Sequence, residues 1–326
     1  MKPVCSIIVR AYNEEKHIGK LFAGIRQQTL TDIQVILVDS GSTDRTAEIA
    51  RQYGVEIVHI DPKEFTFGRS LNKGISHAVA DILVFASAHV YPVYPDWLEH
   101  IVSPFKDSKV AVCYGKQRGT ENSKFSEQQV FYHWFPETSH VQEENPFCNN
   151  ANAAIRRSLW LEHPYDENIP ALEDLAWANW AMKKGYSVYY SAEAEIIHIH
   201  HESWKGVYNR YRREGMAFKQ IYPEAHFSIG DLYRLLRANI LADLKAARAQ
   251  QMVARQLLPI LRFRWMQFWG TYQGYRQSRH ALNWQMKRTF YYPNAELNGV
   301  NQPNHRITPI QYQDEEHGKM QEGERK

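Results

Sequence analysis

The sequence predicts an α/β fold: a mostly parallel sheet flanked by helices, followed by a helical C-terminal extension. Two observations carry this. Apolar runs rich in β-branched residues recur through the first 120 residues, and segments of helical spacing separate them. A strand covered on both faces reads as an unbroken apolar run, and parallel neighbours need a crossover helix between them.

The elements follow in order. VCSIIVRAY is a strand, and EEKHIGKLFAGIRQQ has helical spacing. QVILVDS is a strand, and TDRTAEIARQYG a helix ending in glycine. VEIVHID, SLNKGISHAVA and DILVFASAH repeat the pattern, and PDWLEHIVSPF and VAVCYGKQRG continue it. Residues 120–150 read as a polar and aromatic loop region that ends in PFCNNANAAIRR. LEDLAWANWAMKKGY is helical, with Leu172, Leu175, Ala176 and Trp180 on one face, and stops at Gly185. SVYYSAEAEIIHIHH is strand-like. From Ser203 to Thr289 the spacing is helical, with a break at YPEAHFSIGD, where Pro223 and Gly230 interrupt it. From Tyr291 on, the chain is rich in Asn, Pro, Gln and Glu, as in a loosely ordered tail. The expected division is 1–202, a catalytic α/β domain; 203–290, a basic and aromatic helical extension; and 291–326, the tail.

Three widely spaced cysteines, Cys5, Cys113 and Cys148, give no disulfide framework and no CxxC pair, which fits a reducing cytosol. The first apolar run is too short for a signal peptide and ends in charge, and no run reaches spanning length. The net charge of +3 conceals an asymmetry. Between Lys205 and Arg288 sixteen Lys and Arg face four acids, so that segment is strongly basic and the remainder acidic. Such a segment suits an anionic partner.

In open parallel sheets ligands bind beyond the carboxyl ends of the strands. Polar residues gather at those ends here: Asn13 and Glu14, Asp39 and Ser40, Ser87 and His89. Neither GxGxxG nor GxxxxGK[ST] is present, so a dehydrogenase or ATPase reading has no support. Asp39 is an acceptor-only group suited to the imide N–H of a uracil-type base or to ribose hydroxyls. Turn chemistry would equally place it and Asp44 there. Arg69 can pair with diphosphate oxygens or be a solvated loop charge.

SIIVRAYNEE with VILVDSGSTDRTAEIA resembles the opening of family 2 glycosyltransferases, which have the GT-A fold, a Rossmann-like sheet, and use nucleotide sugars. The resemblance continues through FGRSLNKGISHAVADILVFASAH, NANAAIRR and LEDLAWANWAMKKGY, in order, over residues 3–200. It implies donor-binding roles for Ala11, Tyr12, Asn13, Glu14, Asp39, Ser40, Arg69, Asn72, Ser87, Ala88 and His89. It implies Asp174 as the general base of an inverting transfer, with Glu173 beside it. The other reading of both carboxylates is a helix N-terminus favoured by the dipole. Asn150 and Asn152, with the aromatics Trp134 and Trp177, are expected to meet the acceptor through hydrogen bonds and ring stacking; Trp177 would serve equally as core.

The sequence departs from the family at FASAH, where an aspartate-x-aspartate motif usually stands. Ser87-Ala88-His89 supplies no carboxylate. Histidine suits Mn²⁺ better than Mg²⁺, which prefers oxygen. His89, with His198 or His200, is therefore expected either to bind a divalent cation or to touch the diphosphate directly. The alternative is a neutral hydrogen-bonding histidine.

The resemblance implies a cytoplasmic glycosyltransferase acting on a glycan or lipid-linked saccharide, in bacterial surface polysaccharide assembly (capsule, O-antigen or exopolysaccharide). A catalytically silent nucleotide- or glycan-binding protein is the rival, favoured by the missing acidic pair. The stretch ARQLLPILRFRWMQFWGTYQGYRQ, basic and aromatic, suits an anionic inner-leaflet membrane surface, or packing on the catalytic body, or an oligomer contact. No nucleic-acid motif appears, so no nucleic-acid partner is expected.

Overall fold

The computed structural model describes residues 2–142, 144–199, 202–276 and 307–312. Its strands are β1 (Cys5–Ala11), β2 (Ile33–Asp39), β3 (Glu56–His59), β4 (Ile82–Ser87), β5 (Val90–Pro92), β6 (Val110–Arg118), β7 (His140–Gln142), β8 (Asn152–Arg156) and β9 (Ser187–His198). Its helices are α1 (Ile18–Arg26), α2 (Thr46–Gln52), α3 (Phe67–Ser76), α4 (Trp97–Val102), α5 (Phe125–Trp134), α6 (Arg157–Glu162), α7 (Glu173–Lys183), α8 (Trp204–Ile221), α9 (Ile229–Ala249) and α10 (Val253–Arg276). The expected sheet is present, in the order β3-β2-β1-β4-β8-β6-β9-β5, with β7 also on β9.

The first four strands in that order are parallel, each linked by a helix. β8 then enters antiparallel between β4 and β6. Apolar positions alternate between two cores: Ile8, Val38 and Phe85 face one side, and Ile7, Val9, Leu37 and Val84 the other. Helix α3 lies close against the sheet because Gly74 has no side chain. A Cβ there would stand 2.6 Å from an Ile8 methyl and 2.7 Å from a Val38 methyl.

The segment 120–150 departs from the expected loop. It contains α5 and β7. Helix α5 has no clean amphipathic stripe, because it is covered on more than one side, which hid it from periodicity. Phe125 packs with Ala247 and Ile260 of the helical extension, and Phe131 with the sheet.

The break at YPEAHFSIGD is a helix start. Ser228 Oγ accepts from the Asp231 N–H at 3.1 Å, and Asp231 Oδ2 accepts from the Ser228 N–H at 3.0 Å. This capping box is worth about 1 kcal/mol. Helices α8 and α10 pack backbone to backbone at Gly274, where a Cβ would meet the Arg212 carbonyl at 2.2 Å. Leu175 of α7 joins Phe218, Leu232 and Phe268 in one core, so the extension is docked on α7. Part of the tail differs from expectation too. Residues 307–312 lie along β5: the Ile310 N–H donates to the Val93 carbonyl at 2.9 Å, and Tyr312 packs on Tyr91.

Candidate active site

Parallel order puts the ends of β1, β2 and β4 side by side. Ala11 is in register with Asp39, and Arg10 with Ser87. The two loops beyond β1 and β2 are stapled together. Asn13 sits at φ 55°, in the left-handed region that Asn tolerates. Its Oδ1 accepts from the Thr43 N–H at 2.8 Å, and its N–H donates to Ser42 Oγ at 3.0 Å. Asp44 accepts from the N–H groups of Thr46 and Glu15. Asp39, 3% exposed, accepts from the Ser42 N–H at 3.1 Å and lies 3.2 Å from His59 Nδ1. Ser40 is buried, whereas Tyr12 stands out at 57% exposure.

Beside these loops is a cleft of ≈ 500 Å³, lined among others by Arg10, Glu14, Ser87, His89, Glu173 and Asp174. His89 Nδ1 lies 2.8 Å from Glu14 Oε1, and the carboxylate, which only accepts, fixes the proton on that nitrogen. The His89 ring stacks on His198 with centroids 5.1 Å apart, and His198 Nδ1 lies 2.7 Å from Gln117 Oε1.

On the opposite wall, α7 begins at Leu172, which is left-handed at φ 58° and offers no side-chain cap. Glu173 and Asp174 occupy its first turn. Glu173 is held by Arg10, Nη1 to Oε1 3.2 Å. Asp174 Oδ2 accepts from the Asn150 N–H at 2.9 Å, and Oδ1 from the Leu175 N–H at 2.8 Å. Burial, then the charge of Glu173, pushes its carboxyl up to about 7 against the pull of those N–H groups and of Arg10. A carboxyl poised there can take a proton at neutral pH. Helix α8 closes the cleft with Arg210 and Arg213. Arg210 is paired with Glu127 and Glu202, at 2.6 and 3.0 Å. Arg213 and Arg10 both lie over the Phe67 ring, at 4.9 and 5.0 Å.

Several expected residues stand elsewhere. All of Asn72's amide is spent inside the protein: Oδ1 accepts from Trp160 Nε1 and the Tyr165 N–H, and Nδ2 donates to the Tyr165 carbonyl and Glu167. It braces the 160–167 segment against α3. Arg69 pairs with that same Glu167 at 2.7 Å. Asn152 is buried in the sheet, accepting from Trp97 Nε1 and donating to the carbonyls of Lys116 and Ala194. Trp177 is core, its indole N–H donating to the His163 carbonyl at 2.6 Å. Ala88 is buried in the other core. Trp134 lines a smaller cavity next to the cleft. His200 lies outside the described residues.

The cation expectation can be tested on the donor set. Among the described residues no three His, Cys, Asp or Glu side chains are grouped to hold an ion. The described residues alone build no closed metal site. His89, oriented from behind by Glu14 as metal-ligating histidines commonly are, would be one ligand to a divalent cation, which would supply charge neutralisation there.

Sequence reasoning passed over Arg10, Phe67, Arg210 and Arg213. Arg10 carried a signal, being a charge inside the apolar run SIIVRAY. Arg210 and Arg213 share a face by their spacing of three. Nothing local says that this face meets the end of a strand two hundred residues earlier.

The mixed sheet, with its cleft at the ends of β1 and β4 and a buried carboxyl in the cleft wall, has the GT-A fold of the solved structures below. The family model described as Glycosyl transferase family 2 matches residues 6–162. Just under half of the chain is thus similar to that family, and the match, with the relatives below, supports a nucleotide-sugar-dependent glycosyltransferase. It is 29% identical over 234 residues to the O-antigen chain rhamnosyltransferase WbaN of Salmonella anatum, covering 66% of this chain and 72% of the relative. It is 26% identical to RfbN of Salmonella typhimurium, also an O-antigen chain rhamnosyltransferase, over 65% and 71%. In fold it resembles the mannosyltransferase PcManGT of Pyrobaculum calidifontis, solved with GDP-Man and Mn²⁺ (TM-score 0.56, 19% identity, 84% of this chain and 85% of that one). It also resembles S. aureus TarS 1–349 solved with UDP (TM-score 0.52, 18% identity, 85% and 92%).

Proposed function

We propose that the chain transfers a sugar, with inversion, from a nucleotide diphosphate sugar to a hydroxyl of a glycan or lipid-linked saccharide in bacterial surface polysaccharide assembly. The observation that carries this is Asp174, raised to about 7 in the wall of the cleft that the end of β4 also lines. Its carboxylate takes the acceptor's O–H proton while that oxygen bonds to the anomeric carbon. The bond from that carbon to the diphosphate breaks, and the nucleoside diphosphate leaves with the electron pair. The N–H groups of Asn150 and Leu175 hold the base in place, and the Arg10–Glu173 pair sets the charge around it. Asp39, with Ala11 and Ser40 beside it, receives the nucleoside; Ser87, His89 and Arg213 face the diphosphate. A divalent cation, when bound with His89 as one ligand, would neutralise charge on the leaving group. The rhamnosyltransferase relatives support an O-antigen-type acceptor, and a deoxysugar donor belongs among the first to try.

The division at residue 202 is functionally incomplete, since α8 supplies Arg210 and Arg213 to the cleft. We read 203–290 as part of the enzyme and also as its membrane contact. No helix among the described residues is long and apolar enough to cross a membrane. From Ile229 to Arg276, however, every exposed charge is basic: Arg234, Arg237, Lys245, Arg248, Arg255, Arg262 and Arg276. Both acids of that stretch, Asp231 and Asp243, are buried. Leu257, Leu258, Leu261 and Trp265 are exposed among these cations. Apolar side chains rimmed by cations suit the anionic leaflet where a lipid-linked acceptor would lie.

Thermal melts with UDP, GDP, dTDP and CMP and their sugars, in Mn²⁺, Mg²⁺ or EDTA, test the donor site. One nucleotide raising the melting temperature, and its sugar turning over on a polysaccharide precursor, is the expected result. No shift with any nucleotide would move the chain to the catalytically silent reading.

A further inference from the structure

Helix α7 begins on Leu172, at a position where helices favour Ser, Thr, Asp or Asn. Leu172 stands at φ 58° and ψ 31°, in the left-handed region. Among the described residues the non-glycine residues with positive φ are Asn13, Leu172 and Gln251. Asparagine visits that region with the help of its short polar side chain. For leucine the Cβ crowds the following carbonyl, so the conformation is strained. Of the three, Leu172 is the one bulky apolar side chain, and it directly precedes Glu173 and Asp174.

Packing holds the leucine there. Its side chain lies against the core that Leu175 forms with Phe218, Leu232 and Phe268 of the helical extension. Its carbonyl accepts from the Ala176 N–H at 3.0 Å, which closes the first turn of α7. Ala171 before it and Leu175 after it are buried. Leu172 also borders the cleft, together with Asp174. Two residues on, Asp174 meets the N–H groups of Asn150 and Leu175, and the same turn sets Glu173 against Arg10. Glycine or asparagine would take this backbone at less cost, but neither side chain would tie it to the extension. A strained residue persists where its surroundings over-determine it, and such residues gather at active sites.

Resting on the transferase reading, we propose that Leu172 is a positioning residue: seated on the core of the helical extension, it holds the start of α7 in a left-handed turn and so keeps Asp174 in the cleft wall. The extension then acts on the base as well as lending Arg210 and Arg213 to the cleft. Without the leucine side chain the turn is released from that core, the first turn of α7 samples other directions, and Asp174 loses its hold on the Asn150 N–H. A helix start with no part in transfer would show only as lost stability.

Hydrogen exchange on the full chain, read residue by residue by NMR, tests this without any ligand. The reporter is the Asn150 amide, which donates to Asp174; Ile8 and Val38, inside the sheet, report on the whole fold. Leu172→Gly adopts the turn freely but cannot pack. It should quicken exchange at Asn150 about tenfold and leave Ile8 and Val38 unchanged. Phe218→Ala, which cuts the same core from α8, should do likewise. Leu172→Met, which keeps the packing, should keep exchange slow. If the glycine variant does not melt cooperatively, Leu172→Ala takes its place with the same expectation. Release of nucleoside diphosphate from UDP-glucose, GDP-mannose or dTDP-rhamnose is the second readout. In Leu172→Gly its kcat should fall about tenfold, with the donor KM unchanged. Slow exchange at Asn150 in Leu172→Gly, a rise no greater than at Ile8 and Val38, or an unchanged kcat would overturn the positioning role. Release from none of these sugars by the unmodified protein, with the exchange result as expected, would instead strike at the transferase reading.

Discussion

Arg10 and Glu173, 163 positions apart in the chain, form an ion pair at 3.2 Å beneath the candidate base. The pair joins the end of strand β1 to the first turn of α7 and contributes to the field around Asp174. Burial and then Glu173 raise the Asp174 carboxyl, and Arg10 holds it back.

The first consequence concerns pH. Asp174 acts only when ionised, and its carboxyl is held at about 7. Turnover is therefore expected to fall as pH drops through neutrality, with nucleotide binding kept. Asp174→Asn should cost at least 10²-fold in kcat at every pH, as for loss of a general base. Retained turnover in that variant would remove Asp174 from the role.

Arg10→Met tests the ion pair itself. With the cation gone, the Asp174 carboxyl rises further, because Arg10 was lowering it. The acid limb of the pH profile should move to higher pH, and activity at neutral pH should drop while activity at high pH recovers. A purely structural role for Arg10 would lower the whole profile without displacing its limb.

His89→Ala bears on the cation. In the unmodified protein, nucleotide binding followed by thermal melts should be stronger in Mn²⁺ than in EDTA. In the variant the two conditions should become equal. An Mn²⁺ effect undiminished in His89→Ala would assign the ion to other residues.

Sedimentation with vesicles addresses the extension. The full chain should bind vesicles containing phosphatidylglycerol and not pure phosphatidylcholine, and binding should weaken with salt, each interfacial Lys or Arg contributing about 1 kcal/mol. Leu258→Asp with Leu261→Asp should abolish it while nucleotide binding stays intact. A concentration-dependent dimer that these substitutions break, without vesicle binding, would make the face an oligomer contact.

Stability offers a separate test. Arg264 grips Asp243 with two bonds, Nε to Oδ2 at 2.8 Å and Nη2 to Oδ1 at 2.7 Å, both residues buried between α9 and α10. Arg264→Leu strands the aspartate and should cost about 3–5 kcal/mol in urea unfolding. The double variant with Asp243→Leu should recover much of that loss. Equal losses in the two would mean that shape, not charge, is what Arg264 supplies.

The sheet was legible in the sequence because burial on both faces leaves a local mark, an unbroken apolar run such as SIIV or DILVF. The strand-end residues Asn13, Asp39 and His89 followed from it, since a parallel sheet brings strand ends together. The motif strings located Glu173 and Asp174. Helix α5 stayed hidden, being covered by both the sheet and the extension, which erases the one-sided stripe that periodicity detects.

By itself the sequence determined a resemblance to family 2, a sheet with a parallel half, polar residues gathered at its strand ends and the absence of a carboxylate at Ser87-Ala88-His89. Only the tertiary structure decided which polar residues are available to a ligand. Asn72, Asn152 and Asn150 are the same residue type in motif-like strings, yet the first two have every amide atom spent on neighbours, while Asn150 keeps a donor. The raised carboxyl of Asp174 is likewise a property of its surroundings: burial and Glu173 push it up, while the N–H groups of Asn150 and Leu175 and the charge of Arg10 pull it back. Hydrogen bonding and electrostatics depend on distances of a few ångströms between segments far apart in the chain, and no local pattern of residues encodes those distances.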